Sequence, residues 1–126
     1  MKKIIYTESA PQPKGPYSQA VSAGGFVFVA GQGPINPKTN QFELGDIKSQ
    51  TRRTLDNISE ILKSAGITMN DVVKCSVFLT NINDFKEMNE VYNEFFYESK
   101  PARTTVEVSA LPFGIKVEID VIAREK

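Results

Sequence analysis

The run Phe26-Val27-Phe28-Val29 is apolar at every position, so as a strand it offers a hydrophobic side chain to both faces of a sheet. Such a strand needs cover on both sides. The chain has few elements to provide it. Ile47, Thr51, Leu55, Ile58, Ile61, Leu62 and Ala65 recur every three or four residues and mark one long amphipathic helix. Asp46 is its expected N-cap, and Gly66 fits the left-handed position beyond its end, with Ile67 closing on Leu62. A second stripe, Phe85, Met88, Val91, Tyr92, Phe95 and Phe96, predicts another helix, capped by Asn83 and stopped before Pro101. Two helices cover one face of a sheet. The other apolar face calls for a second subunit, making a homo-oligomer the favoured expectation, or for a loop such as Gly33 to Gly45 folded across it.

The strands that need this cover are predicted over Lys2 to Tyr6, Tyr17 to Ala23, Phe26 to Gln32, Val72 to Thr80, Arg103 to Ala110 and Ile115 to Ala123. Gly24-Gly25 supplies a two-residue hairpin between the second and third. Leu111-Pro112-Phe113-Gly114 reads as a type I turn that pairs the last two strands. The expected architecture is α+β, a single mixed sheet with two helices packed on one face, in one domain spanning residues 1–126.

Composition removes several chemistries. The chain has no histidine, so every histidine-dependent triad and zinc site is absent, and a single cysteine forms no thiolate cluster. No clustered acidic pattern suggests a magnesium site, so no metal is expected. Fifteen basic residues balance fifteen acidic ones, which argues against a nucleic-acid partner. The lone Cys75, most simply a buried apolar residue, fits a reducing compartment, and no apolar run is long enough to span a bilayer. A cytoplasmic protein without membrane association is expected.

Chemistry then falls to carboxylates, arginine, tyrosine, hydroxyls, backbone and water. Arg103, in Pro101-Ala102-Arg103-Thr104-Thr105, offers a planar fork suited to a carboxylate, or it forms an ordinary ion pair with a glutamate. Glu118 shares a strand row with Lys116 and Asp120 and is either a solvated residue or an acid–base group. If the Pro112 hairpin is regular, Glu107 faces Glu118, and Arg103 lies on the same face about 13 Å along it. Two facing carboxylates would raise one pKa, as a general acid or base requires. Tyr17 is either a core tyrosine at a strand start or a cleft residue. Gly31 and Gly33, in Ala30-Gly31-Gln32-Gly33, allow a bulge or a close ligand approach.

Gly15-Pro16-Tyr17-Ser18-Gln19, Ala30-Gly31-Gln32, Asn89-Glu90-Val91-Tyr92, Pro101-Ala102-Arg103 with Val106-Glu107-Val108, Leu111-Pro112 and Val117-Glu118-Ile119 occur together and in order. The ensemble resembles the RidA (YjgF) family of reactive-intermediate deaminases across essentially the whole chain. The resemblance implies a fold similar to AroH-type chorismate mutases, assembled as a homotrimer with ligand clefts between subunits. It implies cofactor-free hydrolysis of enamines and imines, such as 2-aminoacrylate and 2-iminobutanoate, to 2-oxo acids and ammonia. Arg103 would bind the substrate carboxylate, and Glu118 would position water with the Gly31 carbonyl beside it. Tyr17 and Asn89 would line the cleft, and the Thr105 backbone would touch the ligand. Ala30 stands where many members carry serine, and Thr105 where cysteine is frequent. Ser109 to Gly114 differs from the basic stretch common at that turn. Two other readings stay open: a non-catalytic sensor of 2-oxo acids, and the ribonuclease or translation-inhibitor activity attributed to some relatives.

Overall fold

The computed structural model describes residues 1–126. In chain order it contains β1 (Lys3–Ile5), β2 (Ala20–Ala23), β3 (Phe26–Gln32), α1 (Ile47–Ser64), β4 (Val72–Leu79), α2 (Phe85–Phe96), β5 (Ala102–Glu107) and β6 (Val117–Arg124). Six strands make one sheet in the order β1-β2-β3-β6-β4-β5, and β4–β5 is its parallel pair. That pair is a strand–helix–strand crossover through α2, the connection parallel neighbours require. The sheet is mixed, with both helices on one face, as expected.

Local signals explain most boundaries. Gly24 and Gly25, at φ 61° and 87°, close β2 onto β3 in the left-handed turn a tight hairpin needs. The Asp46 carboxylate accepts from Ser49 N at 2.8 Å and starts α1. Gly66, at φ 79°, ends it: Gly66 N donates to Lys63 O and Ile67 N to Leu62 O, a complete Schellman closure. Thr51, inside the apolar stripe, is buried because its hydroxyl donates to Ile47 O at 2.8 Å.

Several expectations are corrected. The cap before α2 is Asn81, which accepts from Asn83 N and opens a short 3-10 turn over Ile82–Asp84; Asn83 is inside that turn. The strand expected from Tyr17 begins at Ala20, and the one expected to Ala110 ends at Glu107. The hairpin of the last two strands does not exist, because β4 lies between β5 and β6. Glu118 is opposite Phe78, not Glu107. The connection is not type I either. Phe113 and Gly114 adopt φ 59° and 75°, and Ile115 N donates to Pro112 O at 3.3 Å, the left-handed pair of a type I′ turn.

The core lies between the sheet and the helices. Val117, Ile119, Val121 and Ala123 of β6 point into it beside Val27, Val29, Cys75 and Val77, against Leu55, Ile58, Ile61, Met88 and Phe96. The far face of the sheet stays bare. Phe26 and Phe28 are 39% and 41% exposed, and Val106 joins them. The Gly33 to Gly45 loop does not cover them. Asn57 Nδ2 of α1 ties it down through Gly33 O and Ile35 O, and Arg53 pairs with Glu43. No helix is long and apolar enough to cross a membrane.

Candidate functional site

Arg103 opens the edge strand β5 opposite Cys75, whose side chain is in the core, so the arginine points to the helix side of the sheet. There α2 holds it. Asn89 Oδ1 accepts from Arg103 Nη1 at 2.7 Å. The guanidinium lies 4.6 Å from the centre of the Tyr92 ring and 5.4 Å from that of Phe85. Phe85, Asn89 and Tyr92 are spaced i, i+4 and i+7, so a single stripe of the helix grips the cation from beneath and beside. No carboxylate pairs with Arg103: the chain's three salt bridges are Lys48–Glu90, Arg52–Glu94 and Arg53–Glu43. The ordinary ion-pair reading of Arg103 is therefore wrong. The group is oriented, partly desolvated and free to accept an anion in a hollow of about 560 Å³ shared with Asn93, Lys100 and Pro101.

The hydroxyls of Tyr92 and Thr105 are buried near Arg103; Thr105 Oγ1 has no partner, and the Tyr92 hydroxyl lies beside the Cys75 thiol. Burial pushes the Tyr92 phenol well up, with the neighbouring Cys75 thiol adding to the effect. Burial likewise lifts Cys75 to about 11, so it is no thiolate at neutral pH.

Glu118 belongs to a second cluster. In β6 it alternates with the core residues Val117 and Ile119 and so lies on the opposite face of the sheet from Arg103. The expected common face is corrected: strand order and register put one group on each side. A bulge in β3 between Val29 and Gln32 brings Gly31 against Glu118. A Cβ at Gly31 would fall on the Glu118 carboxylate, 3.0 Å from its carboxyl carbon. Glycine here makes room for the acid. Tyr17, Lys14, Phe42, Phe113 and Ile115 complete a hollow of about 260 Å³ around it. Tyr17 is exposed, not a core tyrosine, and its hydroxyl accepts from Lys14 N at 3.2 Å.

Burial raises the Glu118 pKa above the usual carboxylate range, and the charge of Asp120 adds to the rise. The like charge is thus Asp120, not Glu107, whose carboxylate instead accepts from Ile82 N. We expect Asp120→Asn to move the titration midpoint of Glu118 to lower pH, though still above 4.5, because burial remains. Carboxyl-carbon NMR of parent and variant measures this; an unmoved midpoint would leave burial as the sole cause. A carboxyl whose folded pKa is raised contributes stability that is present at low pH and lost as pH rises from about 4.5 through that raised value.

Arg103 and Asn89 thus meet in one cluster with Thr105 close by, and Glu118, Gly31 and Tyr17 in another. Ala30, half-buried in the bulge beside Gly31, brings no side-chain polar atom. Sequence reasoning passed over Phe85 and Tyr92 as guanidinium supports. The signal was available: Asn89 interrupts their helical stripe at the spacing that faces them. Lys14 and Phe42 were also missed, and nothing local marks them. No group of three or more metal-ligating side chains occurs.

Residues 7–125 match the family model described as Endoribonuclease L-PSP. A RutC family protein of Pyrococcus horikoshii is 58% identical over 123 residues, covering 98% of each chain. Escherichia coli TdcF, named as a candidate reactive intermediate deaminase, is 44% identical over 126 residues, 98% of this chain and 97% of its own. The crystal structure of E. coli TdcF with bound serine superposes with a TM-score of 0.92 at 42% identity, covering 98% of this chain and 99% of that one.

Proposed function

The chain belongs to the endoribonuclease L-PSP family, which includes the Rid proteins, and from that premise we propose that it is a cytoplasmic enzyme hydrolysing reactive enamines and imines to 2-oxo acids and ammonia. The observation that carries the proposal is Arg103, an arginine oriented by Asn89 and two aromatic rings with no carboxylate of its own chain to hold. A guanidinium so prepared grips a substrate carboxylate through two parallel bonds. Support also comes from TdcF, a relative crystallised with serine, itself a small molecule with an α-carboxylate and an α-nitrogen.

In the proposed reaction an enamine such as 2-aminoacrylate first takes up a solvent proton at its β-carbon to give the iminium. The iminium, R–C(=NH₂⁺)–COO⁻, then takes up water. Glu118 accepts a proton from that water as its oxygen bonds to the imine carbon, giving a carbinolamine. The Glu118 proton next passes to nitrogen, ammonia leaves as the C–N bond breaks and the C=O bond forms, and the carbinolamine hydroxyl proton passes to that ammonia. The sum is iminium plus water giving 2-oxo acid plus ammonium. Burial that raises the carboxyl pKa makes Glu118 a stronger base toward that water. The Gly31 carbonyl assists the water, Tyr17 and Asn89 line the cleft, and the Thr105 backbone contacts the ligand. Ala30 offers no hydroxyl, so the substrate nitrogen has one donor or acceptor fewer there. No cofactor or metal takes part, since an imine carbon already accepts water readily and needs chiefly positioning.

Arg103 and Glu118 lie on opposite faces of one sheet, so we infer that the working cleft forms between subunits, Arg103 from one and Glu118 from the next. The bare face carrying Phe26, Phe28 and Val106 supplies the apolar surface for such a contact. The assembly we propose is a homotrimer, a closed ring in which two different surfaces of each subunit meet.

The test couples the protein to a PLP-dependent threonine dehydratase and follows 2-oxobutanoate release without added metal or cofactor. Faster release is expected. No acceleration over spontaneous hydrolysis at any protein concentration would sink the proposal.

A further inference from the structure

The turn beside Glu118 has the wrong residue for its shape. Phe113, at φ 59° and ψ 22°, occupies the first central position of the type I′ turn, where asparagine or glycine is favoured. A strained aromatic residue usually persists because its ring is buried in the core. Phe113 is 69% exposed. Its ring stacks at 4.5 Å and 26° on Phe42, and Lys14 Nζ lies 5.4 Å from the centre of the Phe42 ring on the same rim. The strained backbone thus places an aromatic ring in the open, over the hollow that holds Glu118, Gly31 and Tyr17. Ile35, Pro112 and Ile115 continue the same wall. The hollow is apolar on that side and acidic at Glu118.

We propose that Phe113, backed by Phe42, is a specificity wall that receives the side chain of the imino acid and selects large apolar side chains over a methyl group. The preferred substrates are 2-imino acids of the leucine, methionine or phenylalanine type, as produced by oxidation of apolar amino acids. The inference rests on the deaminase reading and names its substrate class. Geometry supports it in three ways. The wall lies beside the group proposed to place water, so a side chain against Phe113 puts the imine carbon near Glu118. The ring's outer surface has no partner within its own chain, so a ligand gains contact without displacing core packing. Strain held at an exposed functional rim is the arrangement that persists when the surroundings fix it.

The test compares the parent with Phe113→Asn, which keeps a residue at home in the left-handed region and deletes the ring. Imines are generated in situ from leucine and alanine by an amino-acid oxidase, and kcat/KM is measured for each. The parent should favour the leucine-derived imine by about tenfold, the scale at which apolar pockets discriminate. In Phe113→Asn that preference should collapse, with the alanine-derived imine changed by less than about twofold and the melting temperature held. An equal fall for both imines, or an unaltered preference, overturns the proposal. A second readout separates this failure from that of the deaminase reading. The affinities of 4-methyl-2-oxopentanoate and pyruvate are measured by calorimetry on both proteins. If neither imine is turned over, the deaminase reading fails, and the wall is judged by binding alone: a ratio favouring the larger acid and lost in the variant sustains it, and an equal ratio in both proteins overturns it.

Discussion

If the proposed reaction holds, Arg103→Ala is expected to lower kcat/KM for imine hydrolysis by about a thousandfold, and Arg103→Lys by about a hundredfold. The size follows from what the guanidinium does. It has no carboxylate partner in its own chain, so nothing internal replaces the anion it is oriented to hold. Asn89 fixes one nitrogen at 2.7 Å, and Tyr92 and Phe85 fix the plane of the group. Two charge-assisted bonds are lost with the side chain, each worth about 1.5 to 3 kcal/mol. Lysine restores the charge but not the fork, and its ammonium has no planar face to lay on Tyr92. Both KM and kcat should suffer, because the carboxylate anchor also sets where the imine carbon stands relative to water. The measurement is initial rate against imine concentration with the dehydratase in excess. Melting temperature should stay within a few degrees, since the half-buried Arg103 gives up one hydrogen bond to Asn89 and its contacts with two rings. A loss below tenfold at full folding would place the carboxylate elsewhere.

Glu118→Gln is expected to lower kcat by about a hundred- to a thousandfold with little change in KM, as for a lost proton acceptor that holds no part of the substrate's charge. Glutamine keeps the shape against Gly31, so the loss isolates proton transfer from packing. The more telling result comes from mixing. Arg103→Ala and Glu118→Gln subunits, each nearly inactive alone, should regain activity when unfolded together and refolded. If each cleft takes Arg103 from one subunit and Glu118 from its neighbour, about a quarter of clefts in random trimers hold both intact groups. If one subunit supplied both, no mixed assembly would contain an intact cleft, and no activity would return. Complementation thus decides where the site lies, independently of which imine is preferred.

Much of this molecule was legible in its residues. The helix from Ile47 and its two ends were readable because Asp46, the apolar stripe and Gly66-Ile67 act within a few residues of one another. Strand Phe26–Gln32 was readable for the same reason, its glycine hairpin preceding it directly. The apolar second face of that strand was also anticipated, since alternation leaves either Phe26 and Phe28 or Val27 and Val29 outside the core; the structure shows that the phenylalanines are outside. The failures lie where two distant segments compete for one place. Pro112 and Gly114 looked like a hairpin turn, but β4 offers β6 a longer antiparallel register, and β5 pairs with β4 through the α2 crossover instead. A turn signal carries no information about a strand forty residues earlier.

The open sheet face, the oriented arginine and the acid beside a glycine therefore stand on different footings. The sequence by itself determined most of the elements, both ends of the helix from Ile47, the apolar side chains on both sides of Phe26–Val29 and the residue types left for chemistry, because these depend on short-range periodicity and composition. Only the tertiary structure decided that Arg103 and Glu118 occupy opposite faces, that Asn89, Tyr92 and Phe85 hold the cation, and that Phe113 overlooks Glu118. Those facts depend on strand order and register, and a side chain's face is set by which distant partner its strand adopts, not by its neighbours in the chain.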